Sequence, residues 1–385
     1  MTSIKADIAV VGAGVTGLMV TQKLTDLGYD VVLIEKEKVV ASASSTRNEG
    51  WLHRGTYHAA SIKKEEEALE VARTCIYGHE QIRRYAPEAV EDIGQPTYAV
   101  VGSDDLAHHS VSRWDKAGVI YKPISVRDFA SLNPEVDTQN MKHVFEVGDV
   151  GFNPRIFYQK LLVQSEKKGA KIFLQSQLLP KHNGCAKILQ NTGETIDLYV
   201  TTIIVTAGNG IKDFFREVSG EDLPIRFWKS HLLVFPRLTK YNTLYIDRGE
   251  AMVFHHGNTS VIGQHHEDFI VECPDYTAVP EKVELVFAAA KRLIPKTKEY
   301  KDSFVPVTCV KPDVIRYSSQ PRGYDVNILR ADGNYFFVFP GKMTAAPYVA
   351  DKLIQMVVSG DSEKFARIAP RPCDIYTLDR DDRLP

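Results

Sequence analysis

Three things are scarce in this 385-residue chain, and each shortage closes off a class of protein. Cysteine is one: Cys75, Cys185, Cys273, Cys309 and Cys373 are far apart and odd in number, with no Cys-x-x-Cys pair. They define neither a disulfide framework nor a zinc site and read as isolated thiols that pack as small hydrophobes. Net charge is another, with 47 Lys and Arg against 49 Asp and Glu, formally -2. A broad basic surface for nucleic acid is therefore not expected. Long apolar runs are the third: none approaches the roughly 20 residues of a membrane-spanning helix, and the opening MTSIKADIAVVGAG lacks the basic, apolar and cleavage regions of a secretory signal. The expectation is a cytoplasmic protein with no transmembrane segment. Internal repeats and low-complexity tracts are missing too, which removes solenoids and disordered linkers.

What is present is a globular composition, 44% hydrophobic and 25% charged. The length exceeds what one core usually serves, so two cores are expected, or one domain carrying a large inserted second one. Residues 6–11, ADIAVV, suit a buried strand; GAGVTG follows at once, and LMVTQKLTDLG places apolar residues at helical spacing. YDVVLIEKE then reads as a second strand, completing the right-handed crossover of a parallel sheet. Residues 61–85 predict a helix that stops before Pro87. Residues 95–145 break into short strand-like runs, PTYAVV and GVIYKPIS, between turns. GFNPRIFYQKLLVQSEKKGAKIFLQSQL restores helix then strand, and TIDLYVTTIIVTAGNG is β-rich and ends in a glycine turn. Residues 226–310 predict a sheet with a hairpin at HHGNTS and one helix near PEKVELVFAAAKRLI. The stretch YFFVFPGKMTAAPYVADKLIQMVVSG is again strand, glycine turn and helix.

The sharpest motif is Gly12-x-Gly14-x-x-Gly17, because it follows a strand, opens a helix and is trailed by Glu35 at the end of the next strand. Gly12 allows the tight turn, Gly14 lets backbone N–H groups approach a pyrophosphate, and Gly17 lets helix and strand pack closely. The helix N-terminus attracts the diphosphate, and Glu35 accepts from ribose hydroxyls while repelling a 2′-phosphate. The pattern specifies a dinucleotide without saying which one. Three features favour FAD over a nicotinamide: the motif comes early, the dense polar segment ASASSTRNEGWLHRGTYHA follows the second strand at 41–59, and FPGKMTAAPYVADKL offers another glycine turn before a helix. An extended flavin nucleotide needs contacts from several such turns.

SSTRNEGWLHRGTYHAASIKK resembles the segment after the dinucleotide unit in the D-amino-acid-oxidase superfamily of FAD-dependent oxidoreductases, above all its L-2-hydroxyglutarate dehydrogenase and glycerol-3-phosphate dehydrogenase branches. There a Ser/Thr-rich turn leads to His-x-Gly, here His53-Arg54-Gly55. VGFNPRIFYQKLLVQSEKKGAKIF, TTIIVTAGNGIKDF and VIGQHHED resemble later segments of the same superfamily in the same order, and PGKMTAAPYVADKL is similar to the Gly-Gly-Lys-x-Thr turn of the glycerol phosphate branch. The likeness covers roughly residues 6–360 and implies a mixed α/β fold: a Rossmann-like FAD-binding domain (1–90, 145–225 and 325–365) with an inserted antiparallel-sheet substrate-binding domain (91–144 and 226–324) and a tail at 366–385. It implies an FAD-dependent oxidase or dehydrogenase that moves a hydride from a carbon bearing a hydroxyl or amine to flavin N5. The partners implied are a small-molecule substrate and oxygen or another electron acceptor. Two other readings stay open beside it, a flavin-dependent monooxygenase and a non-catalytic nucleotide-binding module; against the first, FPGKMT stands where a Gly-Asp-Ala motif is expected.

The same resemblance names the site. FAD contacts are expected from Gly12, Gly14, Val15, Thr16 and Gly17, from Glu35 and Lys36, and from the positioning groups Ser45, Thr46, Arg47, Asn48 and Gly50. Further contacts are expected from Leu178, Ala207 and Gly208, and from the last turn, Gly341, Lys342, Met343 and Thr344. His53 either removes the substrate's hydroxyl proton as a general base or merely hydrogen-bonds the flavin or backbone. Tyr57, Arg54 and His58 are near enough in sequence to line the same cavity, Tyr57 as a catalytic candidate and Arg54 as a substrate contact, or are structural; Lys342 is a catalytic candidate that stabilises negative charge on reduced flavin or promotes reaction with oxygen, or else caps the preceding strand. His255 and His265, each in a His-His pair beside the expected hairpin, are candidates for the substrate wall; no acid stands at ligand spacing, so no metal is expected. Two departures matter. Lys311 takes the place of a family arginine, with Arg316 further on, and a lysine point charge does not replace a bidentate guanidinium. NEG stands for the usual NSG, and the added Glu49 favours an amine or amino-sugar-like donor over a simple hydroxy acid.

Overall fold

The computed structural model describes residues 3–91, 93–182, 185–264, 268–315, 322–331 and 334–358. They form two compact units. The first gathers Met1–Thr46, Phe157–Phe227 and Lys311–Pro385, the second Arg47–Ile156 and Trp228–Val310.

The first unit is built on a six-stranded sheet, in the order Asn327–Ala331, Tyr335–Phe339, Thr202–Val205, Ile8–Val11, Val31–Ile34 and Lys171–Phe173. All neighbours run parallel except the Asn327–Ala331 edge, which is antiparallel. Ile8–Val11, Val31–Ile34 and Thr202–Val205 read as almost wholly apolar runs because strands of such a parallel sheet are buried on both faces; Val10, Leu33 and Ile204 share one register row and are fully buried. Helix Val15–Asp26 makes the crossover from the first of these strands to the next and packs against helix Ala346–Val358. A four-stranded sheet, Ser3–Lys5, Thr195–Tyr199, Cys185–Gln190 and Ser176–His182, completes this unit.

The second unit is organised by a large, mostly antiparallel sheet, nine-stranded among the described residues. Thr97–Val101 and Thr243–Tyr245 run parallel within it. Side chains alternate across each strand, and each face has a core. Tyr98, Val100, Val144, Tyr245 and Val253 pack beneath helix Pro280–Leu293, with Val286 and Ala290 between them. Ala99, Val101, Phe145, Leu244, Met252 and Phe254 pack on the other face with Trp51, Tyr57, Ala60, Ala72 and Trp114, from Trp51–Leu52 and the helices Thr56–Ser61, Glu65–Tyr85 and Asp104–Ala117.

Three differences from the sequence reading follow. The helix expected over 61–85 begins at Glu65, and a separate short helix, Thr56–Ser61, precedes it. Within 95–145, where only strand-like runs and turns were expected, DDLAHHSVSRWDKA forms helix Asp104–Ala117, capped by the Ser103 hydroxyl on the Leu106 N–H. Residues 47–90 and 145–156, grouped by sequence with the nucleotide domain, fall in the second unit, because Trp51–Leu52 pairs with Val150–Gly151 and Trp51 is buried against Phe254. The expected tail at 366–385 lies outside the described residues.

Candidate functional site

In the first unit, the turn after Ile8–Val11 closes only with glycine. Gly12 has φ +95°, and a methyl group there would lie 2.7 Å from the Thr206 carbonyl oxygen. One at Gly17 would overlap the Gly12 carbonyl oxygen and lie 2.6 Å from Thr206 Oγ1. The Thr206 hydroxyl lies 3.0 Å from Val11 O and 2.8 Å from Gly12 O, which pins the loop to the end of Thr202–Val205. Gly14 caps helix Val15–Asp26 with no side chain of its own, and Ser45 Oγ accepts from the Val15 N–H at 3.0 Å. The segment carrying Ser45 is fastened back by Ala41 N–H to Ala13 O at 2.9 Å, by Thr46 Oγ1 to Ala41 O at 2.7 Å, and by the buried Tyr158 hydroxyl to Ser45 O at 2.8 Å. Burial pushes the Tyr158 phenol well above its usual range, so it donates as a neutral hydroxyl.

Glu35, nearly buried, accepts from Ala13 N–H at 2.6 Å with one oxygen and from Glu37 N–H at 2.9 Å with the other. An ionised carboxylate offers about four acceptor positions, so capacity for ribose hydroxyls remains. At the last turn Gly341 has φ +66°, and a methyl group there would overlap the Tyr324 carbonyl oxygen; the Lys342 ammonium lies 4.3 Å from the centre of the Tyr324 ring. Met343–Ala345 forms a short 3-10 turn with Thr344 fully buried. Gly208 follows Ala207 with φ +53°. Lys36 is exposed beside Glu37, and Leu178 is buried in its strand. A glycine loop that a Cβ would fill, backbone N–H groups at a helix start and an acid at the next strand's end fit the ADP half of a dinucleotide.

In the second unit the polar turn is rigidly built. Asn48 Oδ1 accepts from Gly50 N–H at 2.9 Å, and Gly50, φ +60°, has the His256 ring where a methyl group would sit. His256 Nε2 donates to the Glu49 carbonyl at 2.7 Å while Nδ1 pairs with Glu91. Arg47 stacks its guanidinium on Tyr276, 4.7 Å from the ring centre. The half-buried His53 ring lies 4.0 Å from Trp51 and 4.6 Å from His58, centre to centre. Asp149, fully enclosed, accepts from Trp51 Nε1 and Arg54 N–H, both at 2.9 Å, and from the Thr56 hydroxyl. Burial raises its pKa, opposed by these donors and by the Arg54 charge. His79 Nδ1 lies 3.2 Å from the Leu52 carbonyl, and burial holds its pKa down at about 4. His79 is therefore neutral near pH 7 and carries its proton on Nδ1, since the carbonyl only accepts.

Other expected residues sit elsewhere. His255 has no exposed surface, and its ring is bonded to Ser260 Oγ and Thr239 Oγ1, both at 2.9 Å. Strand alternation sends His256 to the opposite side, so adjacent histidines differ in role. Tyr57 is 5% exposed and packs within the aromatic core of this unit. Arg54 runs its chain past Gly148, 2.6 Å from where a methyl group would be, and turns its guanidinium to Glu80 at 3.4 Å. Lys311 lies on strand Val305–Val314, while His265 and Arg316 lie outside the described residues. Thr206, Asp149 and the His256–Glu91 pair were missed; each acts through a partner distant in sequence, which no local pattern signals. Among the described residues no group of acids, histidines and cysteines is arranged to hold a metal, and no helix is long and apolar enough to cross a membrane.

The parallel sheet, its glycine turn and the acid of the second strand define a dinucleotide-binding protein of the Rossmann class. The chain matches the DAO family of FAD-dependent oxidoreductases over residues 7–356 and belongs to it; FAD is its cofactor. It is 22% identical over 324 residues to a component of the anaerobic glycerol-3-phosphate dehydrogenase of Haemophilus influenzae, covering 77% of this chain and 53% of that protein. It is 30% identical over 84 residues to the mitochondrial L-2-hydroxyglutarate dehydrogenase of Arabidopsis thaliana, 22% of this chain and 16% of that one. The chain thus spans about half the length of the first relative and far less of the second. In fold it is similar to L-proline dehydrogenase from P. horikoshii, with a TM-score of 0.74 at 16% identity over 94% of this chain and 95% of the other. It is also similar to the L-alpha-glycerophosphate oxidase of Mycoplasma pneumoniae with FAD bound, with a TM-score of 0.72 at 14% identity over 92% and 95%.

Proposed function

We propose that the protein oxidises a small donor at a carbon bearing an amine or a hydroxyl, giving an imine that hydrolyses or a ketone, with oxygen or another acceptor taking the electrons. The observation that carries this reading is the glycine loop with its Ser45 and Glu35 contacts in a chain of the DAO family. When bound, FAD supplies a two-electron acceptor that takes hydride at flavin N5. Gly12, Gly14 and the first turn of helix Val15–Asp26, with Ser45, hold the diphosphate, and Glu35 takes the ribose hydroxyls. Lys342 is the candidate counter-charge for the flavin ring. His53 takes up the proton that leaves the donor's nitrogen or oxygen, a role suited to an imidazole near neutral pH.

Glu49 directs the donor preference. Its carboxylate reaches toward Gly263 of strand Thr259–Gln264, and among the described residues nothing pairs with it. An acid in this turn favours a donor carrying a cationic amine and disfavours one that is only anionic. The test is anaerobic bleaching of the protein's flavin by glycine, L-proline, an amino sugar, sn-glycerol 3-phosphate and L-2-hydroxyglutarate, without NADPH. Amine donors are expected to bleach it faster than the two anions. Bleaching by the anions alone overturns the amine preference, and a requirement for NADPH overturns the reading as a whole.

A further inference from the structure

The backbone on both sides of His53 converges on one buried carboxylate. Asp149 lies in the turn between strands His143–Val147 and Val150–Gly151 and is 1% exposed. Its Oδ1 accepts from both the Trp51 indole and the Arg54 backbone N–H at 2.9 Å, and its Oδ2 accepts from the Thr56 hydroxyl. One buried group thereby holds the residues two before, one after and three after His53. Neighbouring bonds complete the frame: His79 donates to the Leu52 carbonyl, the Trp114 indole donates to the Thr56 carbonyl at 2.8 Å, and Leu52 pairs with Val150. Trp51, itself anchored through its indole N–H, forms one wall of the His53 ring.

We propose that Asp149 is the positioning residue for His53, fixing the 51–56 turn so that the imidazole is presented in a single orientation; this rests on the reading of His53 as the proton acceptor. The effect is geometric, so the substitutions separate cleanly. In Asp149→Asn the amide oxygen still accepts from Trp51 and Arg54, and the Thr56 hydroxyl rotates to accept from the amide N–H. In Asp149→Ala all three donors lose their acceptor and the turn relaxes. Displacement of a reacting group by about 1 Å costs roughly 100-fold in rate.

The holoenzyme is compared as wild type, Asp149→Asn, Asp149→Ala, His53→Ala and the Asp149→Ala/His53→Ala double variant. Anaerobic flavin reduction is followed with glycine, L-proline, an amino sugar, sn-glycerol 3-phosphate and L-2-hydroxyglutarate in turn. Asp149→Asn is expected to stay within about 3-fold of wild type, and Asp149→Ala to lose about 10- to 100-fold in limiting rate with the half-saturating donor concentration unchanged. The double variant is expected to be no slower than His53→Ala, because a positioner has nothing left to position. Multiplying losses in the double variant, or an unchanged Asp149→Ala, overturns the inference while leaving His53 in its role; an unchanged His53→Ala overturns that role itself.

Hydrogen exchange gives a reading that needs no turnover. The Arg54 amide is expected to be protected in wild type and Asp149→Asn and to exchange at least about 10-fold faster in Asp149→Ala, as expected for a locally opened turn; equal protection in all three overturns the proposal. Should Asp149→Ala not fold, Thr56→Val removes one of the three bonds and enters the same cycle with His53→Ala, with a smaller loss and the same lack of additivity expected.

Discussion

Replacing Gly17 by alanine puts the glycine loop to its most specific trial. The residue is helical, so the substitution brings no unfavourable backbone angle, and alanine raises intrinsic helix propensity by roughly 1 kcal/mol over glycine. Against that gain stands the wall it meets: the new methyl group overlaps the Gly12 carbonyl oxygen and lies 2.6 Å from Thr206 Oγ1. Both atoms belong to the bonded junction of Gly12, Thr206 and Val11 and have little room to retreat. Helix Val15–Asp26 must shift instead, and forced overpacking of this kind costs about 1–3 kcal/mol, occasionally more. At roughly 2–4 °C per kcal/mol for a unit of this size, the apo protein is expected to melt several degrees lower. The shift also misplaces the N–H groups at the helix start, so FAD affinity falls by about 10- to 100-fold, the equivalent of about 1.4–2.8 kcal/mol. Gly14→Ala is the control: its methyl group meets only Ser45 Oγ, at 3.2 Å. That variant is expected to keep the apo melting temperature within about 2 °C while losing FAD affinity, because the added group intrudes where the diphosphate approaches. Differential scanning fluorimetry of apo protein and FAD titration by quenching of flavin fluorescence give both quantities. Equal melting temperatures for Gly17→Ala and wild type would refute the steric reasoning, and undiminished affinity in both variants would refute the placement of the diphosphate.

Three further outcomes are expected. Glu35→Gln turns an amide N–H toward either Ala13 or Glu37, leaving two donors facing each other at a cost of about 1–3 kcal/mol, and should weaken FAD binding at least tenfold by titration. His53→Ala should retain its flavin, seen in the absorbance spectrum, while anaerobic bleaching by the preferred donor slows by about 100-fold or more, as for loss of a general base. His79 makes stability depend on pH in a defined direction: its pKa falls from 6.5 to about 4 on folding. Between those values the unfolded chain holds the extra proton and the folded one does not, so stability present above pH 6.5 is lost as pH falls toward 4. The full loss is about 3 kcal/mol. Denaturant melts from pH 7 to 4 should show this slope, and His79→Asn, whose amide N–H stands where Nδ1 does and still donates to Leu52, should flatten it.

The nucleotide half of the fold was legible because its signals are local: an apolar run, three glycines and an acid occur within one crossover, and their spacing carries the geometry. Gly341 was legible for the same reason. Helix Asp104–Ala117 was not, since DDLAHHSVSRWDKA has few apolar positions; it is held by the Ser103 cap and by the Trp114 indole on Thr56 O, a partner 58 residues away. Asp149 resembled an ordinary turn residue in VGDVG, and its importance rests on three donors 93 to 98 residues distant. The histidine pair at 255–256 shows the limit of pattern most plainly. Sequence makes the two equal, and only strand register decides that His255 is sealed in the core while His256 reaches Glu49. The polar segment 41–59 was recognised as a whole but divides between the two units after Thr46, because Trp51 is drawn into the core of the second.

Identification of the nucleotide released when the purified protein is denatured with acid or heat bears most directly on the central claim, that the Gly12–Gly17 loop and Glu35 hold a flavin dinucleotide. Chromatography of the supernatant is expected to show FAD in amounts matching the protein, reduced in step with affinity in Gly17→Ala and Glu35→Gln. Release of NAD or NADP in its place, or FAD content indifferent to those two substitutions, would contradict it.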